Sequence, residues 1–222
     1  VAAEEMILAG KSVGTCVGLG SHGIAIPPIV RFGTDEQKER FVRPVLQGKK
    51  IAALGITEPG GGSDVASLRT RAVRDGDSFL VNGAKTFITS GCRADFVTTA
   101  VRTGGAKHAG ISLLVIERGT PGFTVSRKLD KTGWWASDTA ELSFEDCRVP
   151  AANLIGEVDQ GFLYIMMNFV TERLALAAQC VAIAELAYRE SFAYARTREA
   201  FDKRLTASQV IRHKLADMAT EI

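Results

Sequence analysis

At 222 residues, with 46% apolar and 23% charged residues, the chain is long enough to bury a core in one or two domains. Its 27 basic and 25 acidic residues leave a net charge of +2 and are scattered rather than gathered into arms or stripes, which argues against nucleic acid as a partner. Four cysteines (Cys16, Cys92, Cys147, Cys180) and three histidines (His22, His108, His213) are isolated and form no CxxC pair, so reduced, buried thiols are expected rather than a metal site or a disulfide framework.

In chain order, residues 1–48 read as helical. An apolar stripe of Met6, Ile7, Val13 and Val17 leads into a Gly/Pro connection with an extended Pro27-Pro28 segment. A second helix starts near Asp35, with Thr34 as N-cap, Gln37 three residues on and Gly48 as its stop. Pro44 inside it predicts a kink or an early end. Because the opening residues already read as mid-helix behind Val1, the chain is expected to be a fragment without its N-terminus. A GxGxxG spacing at Gly18, Gly20 and Gly23 is set aside: the dinucleotide fingerprint needs a strand before it and a helix after it, and here the order is wrong.

From residue 51 to about 149 the pattern changes to short β-rich runs. They begin at Ile51, Leu68, Ser78, Lys85, Asp95, Ile111, Phe123 and Thr139, with Asp75-Gly76 and Asn82-Gly83 as tight turns. A compact antiparallel barrel or sandwich is predicted. Helical spacing then runs from about Gly161 to Thr197, on the order of 55 Å, which is bundle length. Thr171, Glu172 and Arg173 interrupt its most apolar part, so it reads as a buried helix of a soluble protein rather than a membrane span. A last amphipathic segment starts near Thr206. The expected class is α+β and multidomain: the end of a helical domain (1–50), a β domain (51–152) and the start of a truncated helical bundle (153–222).

Residues 55–64 read GITEPGGGSD. Successive glycines expose backbone N–H groups that can receive an anion, and Thr57 and Ser63 add neutral donors, yet Glu58 and Asp64 bracket them. The same composition also describes an ordinary glycine-rich loop. On the long helix, Asn168, Glu172 and Gln179 form a polar seam at spacings of four and seven. A carboxylate there is either a structural ion pair or a base facing a dry pocket. Trp134 and Trp135 read by default as packing residues, the alternative being an exposed loop contact.

Six stretches in order, FGTDEQKERF (32–41), GITEPGGGSDVASLRT (55–70), NGAKTFITSG (82–91), ASDTAELSFEDCRVPAANLIGE (136–157), TERLALA (171–177) and RTREAFDKRL (196–205), resemble the acyl-CoA dehydrogenase family. The resemblance implies FAD, an acyl-CoA thioester substrate, a homotetramer, and relatives that extend past both ends of this chain. It implies that Leu54, Ile56, Thr57, Gly62 and Ser63 contact FAD, with Ser63 also near the thioester ligand. Phe87, Ile88 and Thr89 would lie against the flavin ring, Phe87 standing where many relatives carry tryptophan. Arg198, Phe201 and Gln209 match positions that reach the FAD of a neighbouring subunit. Glu58 and Asp64 are expected to turn away from the diphosphate, which they would repel, and to fix the loop by accepting hydrogen bonds.

Most members place the catalytic glutamate near the C-terminus, in a part this chain lacks. The long-chain and isovaleryl-CoA branches resemble this chain in carrying Glu-Arg-Leu on the long helix, which makes Glu172 the expected base and puts Arg173 on the substrate side. The stretch GWWASDTAEL resembles the long-chain branch. The implied reaction is α,β-dehydrogenation to a trans-2-enoyl-CoA, without a metal, with electrons passed to an electron-transfer flavoprotein in the bacterial cytoplasm or mitochondrial matrix. An acyl-CoA oxidase or flavin monooxygenase on the same scaffold, and a non-catalytic acyl-CoA-binding or assembly subunit, are the alternatives.

Overall fold

The computed structural model describes residues 2–105 and 107–222, except the side chains of Ser21 and His22, so the isolation expected of His22 lies outside the described residues. The helical opening is broken more often than its apolar stripe suggests. Helix α1 (Ala2–Gly10) stops where Lys11 takes a φ of +49°, and α2 (Gly14–Ala25) follows. Gly18, Gly20 and Gly23 all lie inside α2, in helix rather than at a strand-to-helix turn. The Pro27-Pro28 pair, expected to be extended, instead opens α3 (Pro27–Phe32). At a helix start the N–H that proline lacks would have no intrahelical acceptor anyway.

The capping box at Thr34 is present: Gln37 N donates to Thr34 Oγ1 (3.2 Å) and Thr34 N donates to Gln37 Oε1 (3.1 Å). It starts α4 (Asp35–Gln37), which passes through a π-turn (Lys38–Val42) into α5 (Arg43–Leu46). Pro44 does not end the helix, which continues to Leu46. The ladder widens just before it, with Arg43 N donating to Lys38 O five residues back, and so absorbs a ring that cannot donate.

The β domain is a curled seven-stranded sheet. Strands β2 (Arg71–Asp75), β3 (Ser78–Thr89), β7 (Thr139–Pro150) and β6 (Phe123–Lys128) pair antiparallel in that order, and β4 (Phe96–Arg102) pairs antiparallel with β5 (Ile111–Glu117). The antiparallel pattern is interrupted by β1 (Ala52–Gly55), which runs parallel to β4. The Asp75-Gly76 turn joins β2 to β3, with Gly76 at φ +61°.

Asn82-Gly83 is not a turn. Strand β3 runs through it with a shift of register against β7, because the Asn82 side chain is engaged by a distant strand: Asp146 N donates to its Oδ1 (2.8 Å) and its Nδ2 donates to Asp146 Oδ1 (3.1 Å). Gly83 has φ +147°, and a Cβ there would sit 2.7 Å from Thr70 Cα. Only glycine fits that approach.

Alternate residues of β4 and β5 feed two cores. Phe96, Ala100, Ile111, Leu113 and Val115 pack with Ile29, Phe41 and Val45 of the helices and with Tyr164 and Ile165. Val97, Val101, Leu114 and Ile116 pack within the curl against Phe79, Val81, Leu142 and Phe144. Burial on both faces explains why these strands are apolar runs without alternation.

The chain packs as two units, one of residues 17–172 and one of residues 1–16 with 173–222. The expected long helix is α6 (Gly161–Thr197). Its residues from Arg173 on belong to the second unit, which also holds the hairpin β8 (Glu199–Ala200) and β9 (Lys203–Arg204) and helix α7 (Gln209–Glu221). In it Ile7 and Cys16 pack with Ala182. All four cysteines are free thiols; burial pushes Cys147 up to about 11, whereas Cys180, expected to be buried, is exposed. Trp134 and Trp135 are exposed in a loop, not packed in a core. Among the described residues, no helix is long and apolar enough to cross a membrane.

Candidate functional site

Two pieces of the 17–172 unit, joined by a backbone hydrogen bond, carry eight of the expected site residues, and a third piece carries Glu172. The first is the glycine loop leaving β1. Ile56 is buried and Leu54 packs partly into the core, which anchors the strand end. Thr57 O accepts from Thr86 N (2.9 Å), which stitches the loop to β3. Glu58 N donates to Gly61 O (2.9 Å) and Gly61 N to Glu58 O (3.1 Å), closing a turn with Pro59-Gly60 at its tip. Among the described residues, the N–H groups of Gly60, Gly62 and Ser63 have no backbone acceptor, and Ser63 is exposed.

The carboxylate of Glu58 is turned inward, as expected. Its Oε2 accepts from Arg69 N (2.6 Å) and its Oε1 from Thr70 N and from Lys85 Nζ (both 2.8 Å). Burial pushes the Glu58 carboxyl upward, but the Lys85 charge and the bonds from Lys85, Thr70 and Arg69 outweigh it and hold the group below the ordinary carboxylate range. Burial dominates at Lys85, which is 0% exposed, and pulls its ammonium down to about 8 against the pull of Glu58. Asp64 behaves differently. Its carboxylate is exposed, and it is the backbone carbonyl that fixes the loop, accepting from Ser67 N (3.1 Å) and Ser67 Oγ (2.8 Å).

The second piece is the ledge Phe87-Ile88-Thr89 at the end of β3. A register shift between Lys85 and Ile88 buries Lys85, Thr86 and Ile88 and swings Phe87 outward, 67% exposed with φ +58°. Such a conformation costs about 1–3 kcal/mol and is commonly stored at functional sites. Thr89 is half-buried beside it.

The third piece is Glu172 on α6, which is half-buried. Asn168, itself buried, donates its Nδ2 to Glu172 Oε1 (2.6 Å) and to Ile24 O (3.0 Å). The apolar residues around it, Val170, Leu174 and Leu176, are exposed rather than buried. Gln179, expected in the same polar seam, donates instead to Cys16 Sγ (3.4 Å).

The remaining expected residues belong to the other unit, and Arg173, Arg198 and Gln209 are all exposed. Phe201 is 98% exposed at the two-residue tip of the β8–β9 hairpin, where Phe201 and Asp202 both have positive φ (52° and 57°). Type I′ turns of this kind normally use Asn-Gly. A bulky aromatic held there in water is unfavourable unless something else covers it.

Two residues escaped sequence reasoning. Lys85 lies on the same alternating face of β3 as Phe79 and Val81, and that period of two is the signal that placed it inside. Arg102 donates to the carbonyls of Leu68 (3.0 Å), Ala66 (2.7 Å) and Gly105 (2.6 Å), tying two loops together beside a cleft of about 960 Å³ that Arg69, Arg71 and Lys107 also line. Among the described residues no group of three His, Cys, Asp or Glu could hold a metal ion.

The donor chemistry fits a flavin dinucleotide. Backbone N–H groups and neutral hydroxyls suit a diphosphate; of the two bracketing carboxylates, Glu58 is turned inward and Asp64 is exposed. The outward Phe87 ring suits a planar heterocycle.

Compared with known families, residues 1–49 match the N-terminal domain, residues 53–147 the middle domain and residues 159–222 the C-terminal domain of acyl-CoA dehydrogenase. The chain is 40% identical over 218 residues to the long-chain specific acyl-CoA dehydrogenase of Rattus norvegicus, a match covering 96% of this chain and 51% of that protein. Among solved structures, a probable acyl-CoA dehydrogenase from Mycobacterium abscessus superposes with a TM-score of 0.97 at 60% identity, over 98% of this chain and 58% of that one. A glutaryl-CoA dehydrogenase from Mycobacterium smegmatis in complex with FADH2 superposes at 0.89 and 31% identity, over 99% of this chain and 55% of that one. The chain thus spans about half the length of the relatives it matches. With the three family domains in order along nearly all of its length, on a fold shared this closely, the chain belongs to the acyl-CoA dehydrogenase family.

Proposed function

We propose that the protein is a FAD-dependent acyl-CoA dehydrogenase that converts a saturated acyl-CoA thioester to its trans-2-enoyl-CoA. The observation that carries this reading is the glycine loop with Glu58 turned inward, stitched through Thr86 N and Thr57 O to the outward Phe87 ledge. On this reading Leu54, Ile56, Thr57, Gly62, Ser63, Phe87, Ile88 and Thr89 hold FAD. Arg198, Phe201 and Gln209 complete the FAD site of a neighbouring subunit in a homotetramer, which gives the exposed Phe201 its cover. Ser63 and Arg173 contact the substrate.

Glu172 removes the α-proton. That proton is weakly acidic, so the base must be held in a fixed orientation. The hydrogen bond from Asn168 Nδ2 to Glu172 Oε1 supplies one such constraint. FAD, when bound, accepts the hydride lost from the β-carbon. An electron-transfer flavoprotein is the proposed acceptor, in the bacterial cytoplasm or mitochondrial matrix.

The test is anaerobic mixing of the purified, FAD-loaded protein with straight-chain acyl-CoA of increasing length. Bleaching of the flavin band with formation of 2-enoyl-CoA is the expected result. A colourless protein that cannot be loaded with FAD contradicts the reading, and substrate-dependent oxygen consumption in a parallel aerobic assay moves it to an oxidase.

A further inference from the structure

We propose that Lys85 is the positioning residue of the flavin site: from inside the sheet it holds the glycine loop in register with the Phe87 ledge. The inference rests on the FAD reading above.

The geometry is a four-way junction. Lys85 Nζ donates to Ile56 O (3.1 Å) at the start of the loop and to Glu58 Oε1 (2.8 Å) within it. Glu58 in turn takes the N–H groups of Arg69 and Thr70 at the far end of the same loop. The backbone of Lys85 belongs to β3 and sits two residues before Phe87, at the point where the register shift against β7 begins. One ammonium therefore joins both ends of the loop to the strand that carries the ledge. A methylene stem alone would hold neither of these two acceptors, and burial at 0% exposure keeps water from standing in for it. Lys85 touches neither the loop's outward N–H groups nor the ring of Phe87. It acts through them.

The experiment compares wild type, Lys85→Met and the double variant Glu58→Gln/Lys85→Met, which removes both buried charges and remains testable should the single variant fail to fold. Three quantities are measured: FAD affinity by flavin fluorescence, the visible circular dichroism of bound flavin, and amide hydrogen exchange at residues 69 and 70 in the apoprotein. Loss of the two ammonium hydrogen bonds, to Ile56 O and Glu58 Oε1, predicts at least about tenfold weaker FAD binding, an altered flavin dichroism band, and faster exchange at Arg69 and Thr70. In the double variant the melting temperature recovers but the affinity and the dichroism do not, an outcome that a purely stabilising lysine does not produce. Wild-type affinity, dichroism and exchange in the double variant overturn the inference. Should the wild-type protein take up no FAD, the flavin reading fails on its own, and the exchange rates still decide: faster exchange upholds the junction, unchanged exchange refutes it.

Discussion

Glu58→Ala isolates the cost of leaving the buried cation without its counter-charge. In the wild-type chain Glu58 is 9% exposed and receives three donors, from Arg69, Thr70 and Lys85. The substitution leaves Lys85 Nζ with the carbonyl of Ile56 and strands two peptide N–H groups. Breaking a buried pair by removing one partner costs about 3–5 kcal/mol. The charge part of that cost is capped, because Lys85, already held down to about 8, can shed its proton once its counter-charge is gone. For a chain of this size about 2–4 °C of melting temperature accompanies each kcal/mol, so a drop of about 6–20 °C is expected by calorimetry. Glu58→Gln keeps a neutral acceptor for the peptide groups and should lose less than the alanine variant. The difference between wild type and alanine variant also depends on pH. With the Glu58 carboxyl held below its ordinary range, its contribution is fully present above that range and fades as pH falls through the lowered value. An alanine variant within about 1 kcal/mol of wild type at neutral pH would refute the argument.

Lys85 gives the opposite pH dependence from a surface lysine. Its folded-state value of about 8 lies below the ordinary ~10.4, so across that window the folded chain binds fewer protons than the unfolded one. Stability relative to Lys85→Met should therefore rise with pH from about 8 to 10 in urea titrations, and a flat difference contradicts full burial of the ammonium. Gly83→Ala forces a Cβ to 2.7 Å from Thr70 Cα at φ +147° and should cost about 2–4 kcal/mol by urea unfolding. A loss under about 1 kcal/mol means that the strand crossing is looser than described. Phe201→Ala, at a residue 98% exposed, should change the stability of an isolated chain by less than about 0.5 kcal/mol, yet weaken FAD retention in the assembled protein. Unchanged FAD retention removes Phe201 from the neighbour's site.

Where local chemistry decides the structure, the sequence was readable. Thr34 and Gln37 satisfy each other's backbone, Asp75-Gly76 turns a hairpin, and the long helix runs over the expected residues, because each depends on neighbours within a few positions. The failures are non-local. Asn82-Gly83 has a turn's composition, but its side chain is claimed by Asp146, 64 residues away. Lys85 looks like a surface residue until Glu58, 27 residues away, supplies its counter-charge. Pro27-Pro28 suited both an extended segment and a helix start, and composition alone could not choose between them. At the site, the inward turn of Glu58 followed from electrostatics, whereas the flavin contacts and the role of Glu172 came through family resemblance.

The central claim is that Glu172 is the base. Anaerobic stopped-flow bleaching of flavin by acyl-CoA in Glu172→Gln tests it most directly, since the amide keeps the shape and the Asn168 contact but cannot take a proton. FAD content and substrate binding should stay near wild type while the bleaching rate falls by about 10²–10⁴-fold. A Glu172→Gln protein that bleaches at the wild-type rate places the base on another residue.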